Sequence, residues 1–212
     1  MQIQTSIGLP SQRASGNPNV PGGTFGELLK STLSPDYYTL AKNNRVFVSA
    51  GAGLNPTAFV GGAAGTPLIG LYNPAGSGFD LVLIRLRLNV RTTGTVAATA
   101  QAFSFWGVNQ GGVAVTGTAT APRNVYSMAQ TGSVATAMVN TANTAALASN
   151  LIAPSISLGN VGATAAVNAV SFVDEIKGEI VVSPGCYLAF GAAQTLTGGS
   201  LDVGLIWAEV PA

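Results

Sequence analysis

The chain reads as mainly β: an antiparallel β-sandwich preceded by an extended N-terminal arm with one or two short helices. Three observations predict this. From Arg45 onward apolar residues recur with a period of two, most cleanly in Ile84-Arg85-Leu86-Arg87-Leu88-Asn89-Val90-Arg91, which is the signature of a half-buried strand. Segments rich in Val, Thr, Ile, Phe and Tyr follow one another across turn residues, with no helical stretch between them, which specifies a sandwich or barrel. Helix signals cluster before residue 45.

Residues 1–44 form the predicted arm. Residues 1–23 hold few large apolar side chains and end in Pro18, Pro21, Gly22 and Gly23, a composition that buries too little surface to order itself. Docking on a neighbouring subunit would order it, as would a lattice contact or packing on its own domain. Thr24-Phe25-Gly26-Glu27 is a capping box: Thr24 accepts from the Glu27 amide while Glu27 reaches back. Leu28, Leu29 and Leu33 follow at helical spacing. Ser34 as N-cap and Pro35 at the first helical position begin a second short helix through Lys42, ended by Asn43-Asn44.

The domain spans 45–212. Its predicted strands are 45–50, 57–60, 67–72, 80–91, 96–105, 113–118, 156–158, 167–173, 176–182, 187–192 and 201–210. Segment 129–150 mixes helix-favouring Ala with Thr, Asn and Gly, which resist helix. It reads as a long ordered loop or insertion with one helical turn, a length that in compact domains marks functional or interface elements.

Charge is scarce. Of 212 residues only 8% are charged, with 9 Lys and Arg against 8 Asp and Glu, for a net charge of +1; roughly 25% is usual. No concentrated basic face exists for nucleic acid, and no basic amphipathic helix for a membrane surface. With 47% hydrophobic residues, little electrostatic repulsion keeps copies apart, so much of the surface is expected to be covered by other subunits; a soluble monomer with a Thr, Asn and Ser surface is the alternative. No apolar run approaches the roughly 18–20 residues of a membrane span. Nor does any basic region followed by an apolar run mark a secretory leader.

The chain has no histidine, hence neither the commonest general base nor the commonest metal ligand. The single Cys186, in Ser183-Pro184-Gly185-Cys186-Tyr187, has no cysteine partner and no histidine to activate it, and reads as a small buried strand residue. Asn73-Pro74-Ala75-Gly76-Ser77-Gly78 looks like a phosphate loop but lacks the Gly-Lys-Ser/Thr ending, and a strand follows it, so it reads as a tight connection. The acids Glu27, Asp36, Asp80, Asp174, Glu175, Glu179, Asp202 and Glu209 form no pair with the setting of glycoside chemistry, and no Asp-x-Asp-x-Asp run offers a calcium site. No catalytic residue, cofactor or metal is expected.

The informative polar residues are the arginines of 84–91. Arg85, Arg87, Asn89 and Arg91 share one strand face, with Ile84, Leu86, Leu88 and Val90 on the core side. Glu175, Lys177 and Glu179 would share a face if 176–182 is a strand, at the same ~6.8 Å repeat. Were the two neighbours, Arg–Glu pairs would ladder between them, each contributing about 0.2–1 kcal/mol. Acids on an adjoining subunit, or a solvated face, explain the arginines equally well. Arg85, Arg87, Arg91, Glu175 and Glu179 are therefore the candidate interface or cross-strand residues.

The C-terminal stretch Gly178-Glu179-Ile180-Val181-Val182-Ser183-Pro184-Gly185-Cys186-Tyr187-Leu188-Ala189-Phe190, the Gly198-Gly199-Ser200 turn and the close Leu205-Ile206-Trp207-Ala208-Glu209-Val210-Pro211 resemble the C-terminal half of virion proteins of tailed bacteriophages. In these a jelly-roll-like β-sandwich often ends in a Trp-x-Glu-Val/Ile-Pro tail. Gly70-Leu71-Tyr72-Asn73-Pro74-Ala75-Gly76-Ser77-Gly78, leading into a long strand, resembles the start of such domains. The resemblance covers roughly 68–211, with the middle unmatched. In size it is most like a capsid decoration (cement) protein, which implies a non-enzymatic head-surface protein, made in the host cytoplasm, often a homotrimer, contacting the major capsid protein and copies of itself. The alternative is a tail fibre or receptor-binding component that recognises a host surface glycan.

Overall fold

The computed structural model describes residues 37–59, 66–92, 95–96, 100–109, 119–130, 132–139, 150–159 and 171–212. The chain divides into two units, Met1–Thr39 and Leu40–Ala212, and nearly all described residues belong to the second. The 1–23 arm, the capping-box helix and the expected strand 113–118 lie outside the described residues.

Among the described residues one short helix, α1 (Tyr38–Lys42), is present. Tyr37, just before it, has φ 64, a left-handed conformation that a right-handed helix does not accommodate, and the expected start at Ser34-Pro35 lies outside the described residues. Its end is a Schellman motif around Asn44 at φ 56. The Asn44 amide donates to the Ala41 carbonyl and the Arg45 amide to the Leu40 carbonyl, both at 2.9 Å, satisfying two orphan carbonyls.

The described residues hold fourteen strands: β1 (Val46–Leu54), β2 (Ile69–Tyr72), β3 (Phe79–Thr92), β4 (Thr95–Val96), β5 (Ala100–Asn109), β6 (Ala119–Thr120), β7 (Arg123–Asn124), β8 (Thr136–Val139), β9 (Asn150–Gly159), β10 (Ser171–Asp174), β11 (Val181–Val182), β12 (Cys186–Ala192), β13 (Leu196–Thr197) and β14 (Ser200–Pro211). They build two antiparallel sheets of a β-sandwich. The first has the order β10-β3-β14-β1-β7, with β11 also on β3; the second runs β6-β8-β2-β12-β5-β9. A small β13-β4 pair stands apart.

The core lies between the sheets. From the first come Phe47, Leu81, Leu83, Leu86, Leu88, Leu205 and Trp207; from the second, Ile69, Leu71, Phe103, Phe105, Leu188 and Phe190. Phe47 stacks on Trp207 with centroids 6.3 Å apart, and Phe190 meets Phe105 at 4.9 Å and Phe103 at 5.8 Å. Such aromatic pairs add about 0.5–1.5 kcal/mol each beyond area burial.

Four expectations are corrected. Segment 129–150 contains β8, which pairs with β2 from Ile69↔Val139 to Tyr72↔Thr136; tertiary pairing overrides its weak local propensity. Residues 57–59, the described part of the expected strand 57–60, form no strand. They hold a single parallel bridge, Ala58↔Ala192, because Phe59 instead lies across Gly191, where an added Cβ would collide with its ring. In 84–91, Ile84 is buried but outside the main core cluster, while Leu83 is in it. Ile206 pairs with Arg85 and Trp207 with Leu83, so Ile84 is the extra residue of a β-bulge that shifts the inward phase by one. Finally, only Val181–Val182 of 176–182 is strand, for reasons given next.

Candidate functional site

The β3 bulge organises the arginine face. At the bulge two consecutive carbonyls need partners. The Gly178 amide donates to the Leu83 carbonyl at 2.7 Å and the Lys177 amide to the Ile84 carbonyl at 3.0 Å. Lys177 and Gly178 both have positive φ, 52 and 89, and the Glu179 amide donates back to the Ile176 carbonyl at 3.1 Å. That is a type I′ turn. β10 and β11 both run antiparallel to β3 along the same side, so residues 175–180 are an excursion in the middle of one edge. Glu175, Lys177 and Glu179 therefore do not share a strand face as the alternation suggested.

The five candidate residues are placed as follows. Arg85 Nη2 meets Glu175 Oε1 at 2.7 Å. The contact is single-pronged, since Arg85 Nε has no hydrogen-bond partner. Arg91 Nη1 lies 3.8 Å from Asp202 Oδ1, and the same oxygen accepts from the Gly53 amide at 2.8 Å. Arg87 sits opposite Val173 on one side and Gly204 on the other. Among the described residues it makes no ion pair, and neither does Glu179. The expected ladder thus reduces to one Arg–Glu pair plus an Arg–Asp pair that the sequence reading missed. The signal for Asp202 was its phase: it is the polar residue of β14 between inward Leu201 and Val203, opposite Asn89.

Around Arg87 the outer face of the first sheet is hollow. A groove of about 400 Å³ is bounded by Arg87, Asn89, Ser171, Val173 and Asp202. Its floor is low because Gly204 and Ala50 lie side by side in the ladder; a Cβ at Gly204 would find nothing nearer than Ala50 at 3.8 Å.

Elsewhere polar side chains hold the scaffold. Asn73, fully buried, ends β2. Its Nδ2 donates to the Phe79 carbonyl at 2.7 Å and the Val182 carbonyl at 2.8 Å, and its Oδ1 accepts from Ser77 Oγ at 2.7 Å. The phosphate-loop look-alike is a latch joining the two sheets at one end. Glu209, also fully buried, accepts at Oε1 from Ser133 Oγ at 2.7 Å and the Val134 amide at 3.0 Å, tying the approach to β8 onto β14. Its inward direction was legible: it shares the phase of Leu205 and Trp207.

Cys186 is half-buried in a second, apolar groove of about 270 Å³ between the sheets, together with Gly107, Ile152, Val181 and Leu188. Burial pushes its thiol above the ordinary value of 9.0, and the Asp80 charge acts in the same direction. At neutral pH the thiol stays protonated and is a poor nucleophile. Among the described residues no group of three or more His, Cys, Asp or Glu is placed to hold a metal ion, and no helix is long and apolar enough to cross a membrane.

No family model matches the chain, and neither does any curated protein or solved structure.

Proposed function

We propose that the protein is a non-enzymatic structural subunit that works by packing against other subunits, of the kind represented by tailed-phage head decoration (cement) proteins on a virion surface. In that role its partners are copies of itself, in a homotrimer, and a major capsid protein. One observation carries the reading: Leu151, Ile152, Val173 and Val181 are about half exposed, and all four lie on strands that end a sheet, β9 in the second and β10 and β11 in the first. Monomeric β-proteins protect such edges with charge, bulges or covering loops. Apolar side chains there mark association surfaces, and a chain with 8% charged residues fits the same plan. Many copies of a modest contact then supply the strength that a single site lacks.

A second reading, a tail component binding a host surface glycan, draws on the hydrogen-bonding groove of Asn89, Ser171, Asp202 and Arg87. Copy number separates the two. Quantitative mass spectrometry of intact particles should find the chain in hundreds of copies, bound to the head; a handful of copies at the tail tip would refute decoration. Deletion of residues 1–23 should leave a folded domain, judged by thermal melting, and abolish incorporation. Normal incorporation of the truncated chain would remove the arm from the proposal.

A further inference from the structure

We infer that the outer edge of the first sheet is a self-association surface, in which Arg87 of one copy pairs with Glu179 of another. This rests on the assembly reading above and names the contact. Neutralisation within the chain is uneven along this face. Arg85 has Glu175 at 2.7 Å and Arg91 has Asp202 at 3.8 Å. Arg87, between them on the same strand face, makes no ion pair with a carboxylate among the described residues. Glu179, exposed on the I′ turn that grips the same strand, makes no ion pair among the described residues. Among the described residues, Arg87 and Glu179 are thus opposite charges that make no ion pair along one side of the sheet; Lys177, also exposed on the turn, makes none either.

The ground around the two charges has the composition of an interface. Val173 and Val181 are each about half exposed. Val173 pairs with Arg87 and Val181 with Val82, so both valines share the outer face with Arg87 while their neighbours Phe172 and Val182 pack toward the core. An apolar centre with charge at its margin is the usual anatomy of a protein contact. The far side of β10 and β11 has no strand partner among the described residues. The hollow beside Arg87, floored by Gly204 and Ala50, gives a partner's carboxylate room to approach the guanidinium.

Charge complementarity selects the occupant. Because both charges belong to one chain, a second copy satisfies them both. A two-fold operator places Arg87 against the partner subunit's Glu179 and repeats the pair in reverse, whereas a ring uses each pair once per junction.

Sedimentation equilibrium of the full chain tests this. The wild type should self-associate, with its mass giving the operator. Arg87→Glu and Glu179→Arg should each weaken association by about tenfold or more, through like charges set face to face, with unchanged circular dichroism and melting. The double variant Arg87→Glu/Glu179→Arg should restore it. Lys177→Glu, an equal reversal on the same turn, should leave association intact. A monomeric wild type, single reversals without effect, a double variant that stays dissociated, or a Lys177→Glu as damaging as Glu179→Arg would each overturn the pairing. Particle incorporation, scored separately, distinguishes the two ideas: a chain that decorates particles as a monomer sinks this contact alone, while an oligomer absent from particles sinks decoration and leaves the contact standing.

Discussion

The two sheets solve the same problem differently. In the first, β3 and β14 alternate, with leucines, valines and Trp207 inward and Arg87, Asn89, Asp202 and Gly204 outward. In the second, every residue of β2 and all but Cys186 of β12 are buried. The outer side of the second sheet is itself a small core of Tyr72, Tyr187, Met138, Ala189 and Phe59, with Trp106 and Val108 packed against it. Rings lie flat over glycines there: a Cβ at Gly70 would collide with Tyr187, and one at Gly191 with Phe59. A sheet buried on both faces loses alternation and reads as a continuous apolar run. The lesson concerns division of labour. The centre of the second sheet spends both faces on stability and leaves its β9 edge exposed, whereas the first sheet keeps a whole polar face open.

Truncation on the two outer faces breaks the comparison most directly. Tyr187→Ala removes a fully buried ring from the outer face of the second sheet and opens the space over Gly70, and should cost about 3–5 kcal/mol in urea denaturation. Arg87→Ala, the matching truncation on the first sheet, should stay within about 0.5 kcal/mol. Similar costs at both positions would mean that the two outer faces are not different in kind.

Adding one carbon should separate the sheets by a smaller amount. Gly191→Ala forces the Phe59 ring to move and should cost about 1–3 kcal/mol. Gly204→Ala meets only ordinary contact with Ala50 at 3.8 Å and, by restricting the unfolded chain, should stabilise by about 0.4–1 kcal/mol. Thermal melting of the pair gives the sign. A destabilised Gly204→Ala would show that the groove floor is already full.

The same contrast governs what could be read from sequence. Strands β3 and β14 were legible because one face is wet and the pattern survives. The Pro184-Gly185 turn was legible because its residue types dictate it, and Gly185 duly has φ 82. The bulge at Ile84 was not, since Ile84 is as apolar as Leu83 and only the opposite strand shows which is supernumerary. Segment 175–180 misled because Glu-Ile-Lys-Gly-Glu-Ile mimics a strand; Gly178, which follows Lys177 as glycine follows asparagine in hairpin turns, was the local warning. β8 was hidden because Thr-Ala-Met-Val has little preference of its own and is held by its pairing to β2. Of the candidate site, the shared face of the arginines was visible, while the identity of their partners depended on turns and registers far along the chain.

The smallest effect tests whether the first sheet's outer face is truly a solvent face in the isolated chain. Arg85 and Glu175 are in contact at 2.7 Å with side-chain exposures of 33% and 41%, so water and salt screen the pair and two side chains lose freedom to form it. A double-mutant cycle of Arg85→Ala and Glu175→Ala should give a coupling of about 0.2–1 kcal/mol that shrinks in 1 M salt, where the Debye length falls to about 3 Å. The single contact and the unpartnered Nε hold the expectation to the lower part of that range. A coupling above about 2 kcal/mol that ignores salt would place the pair in a desolvated setting. The outer faces would then differ less than their burial suggests, and Arg87, two residues along, would lose the contrast with its paired neighbour that marks it as open to a partner.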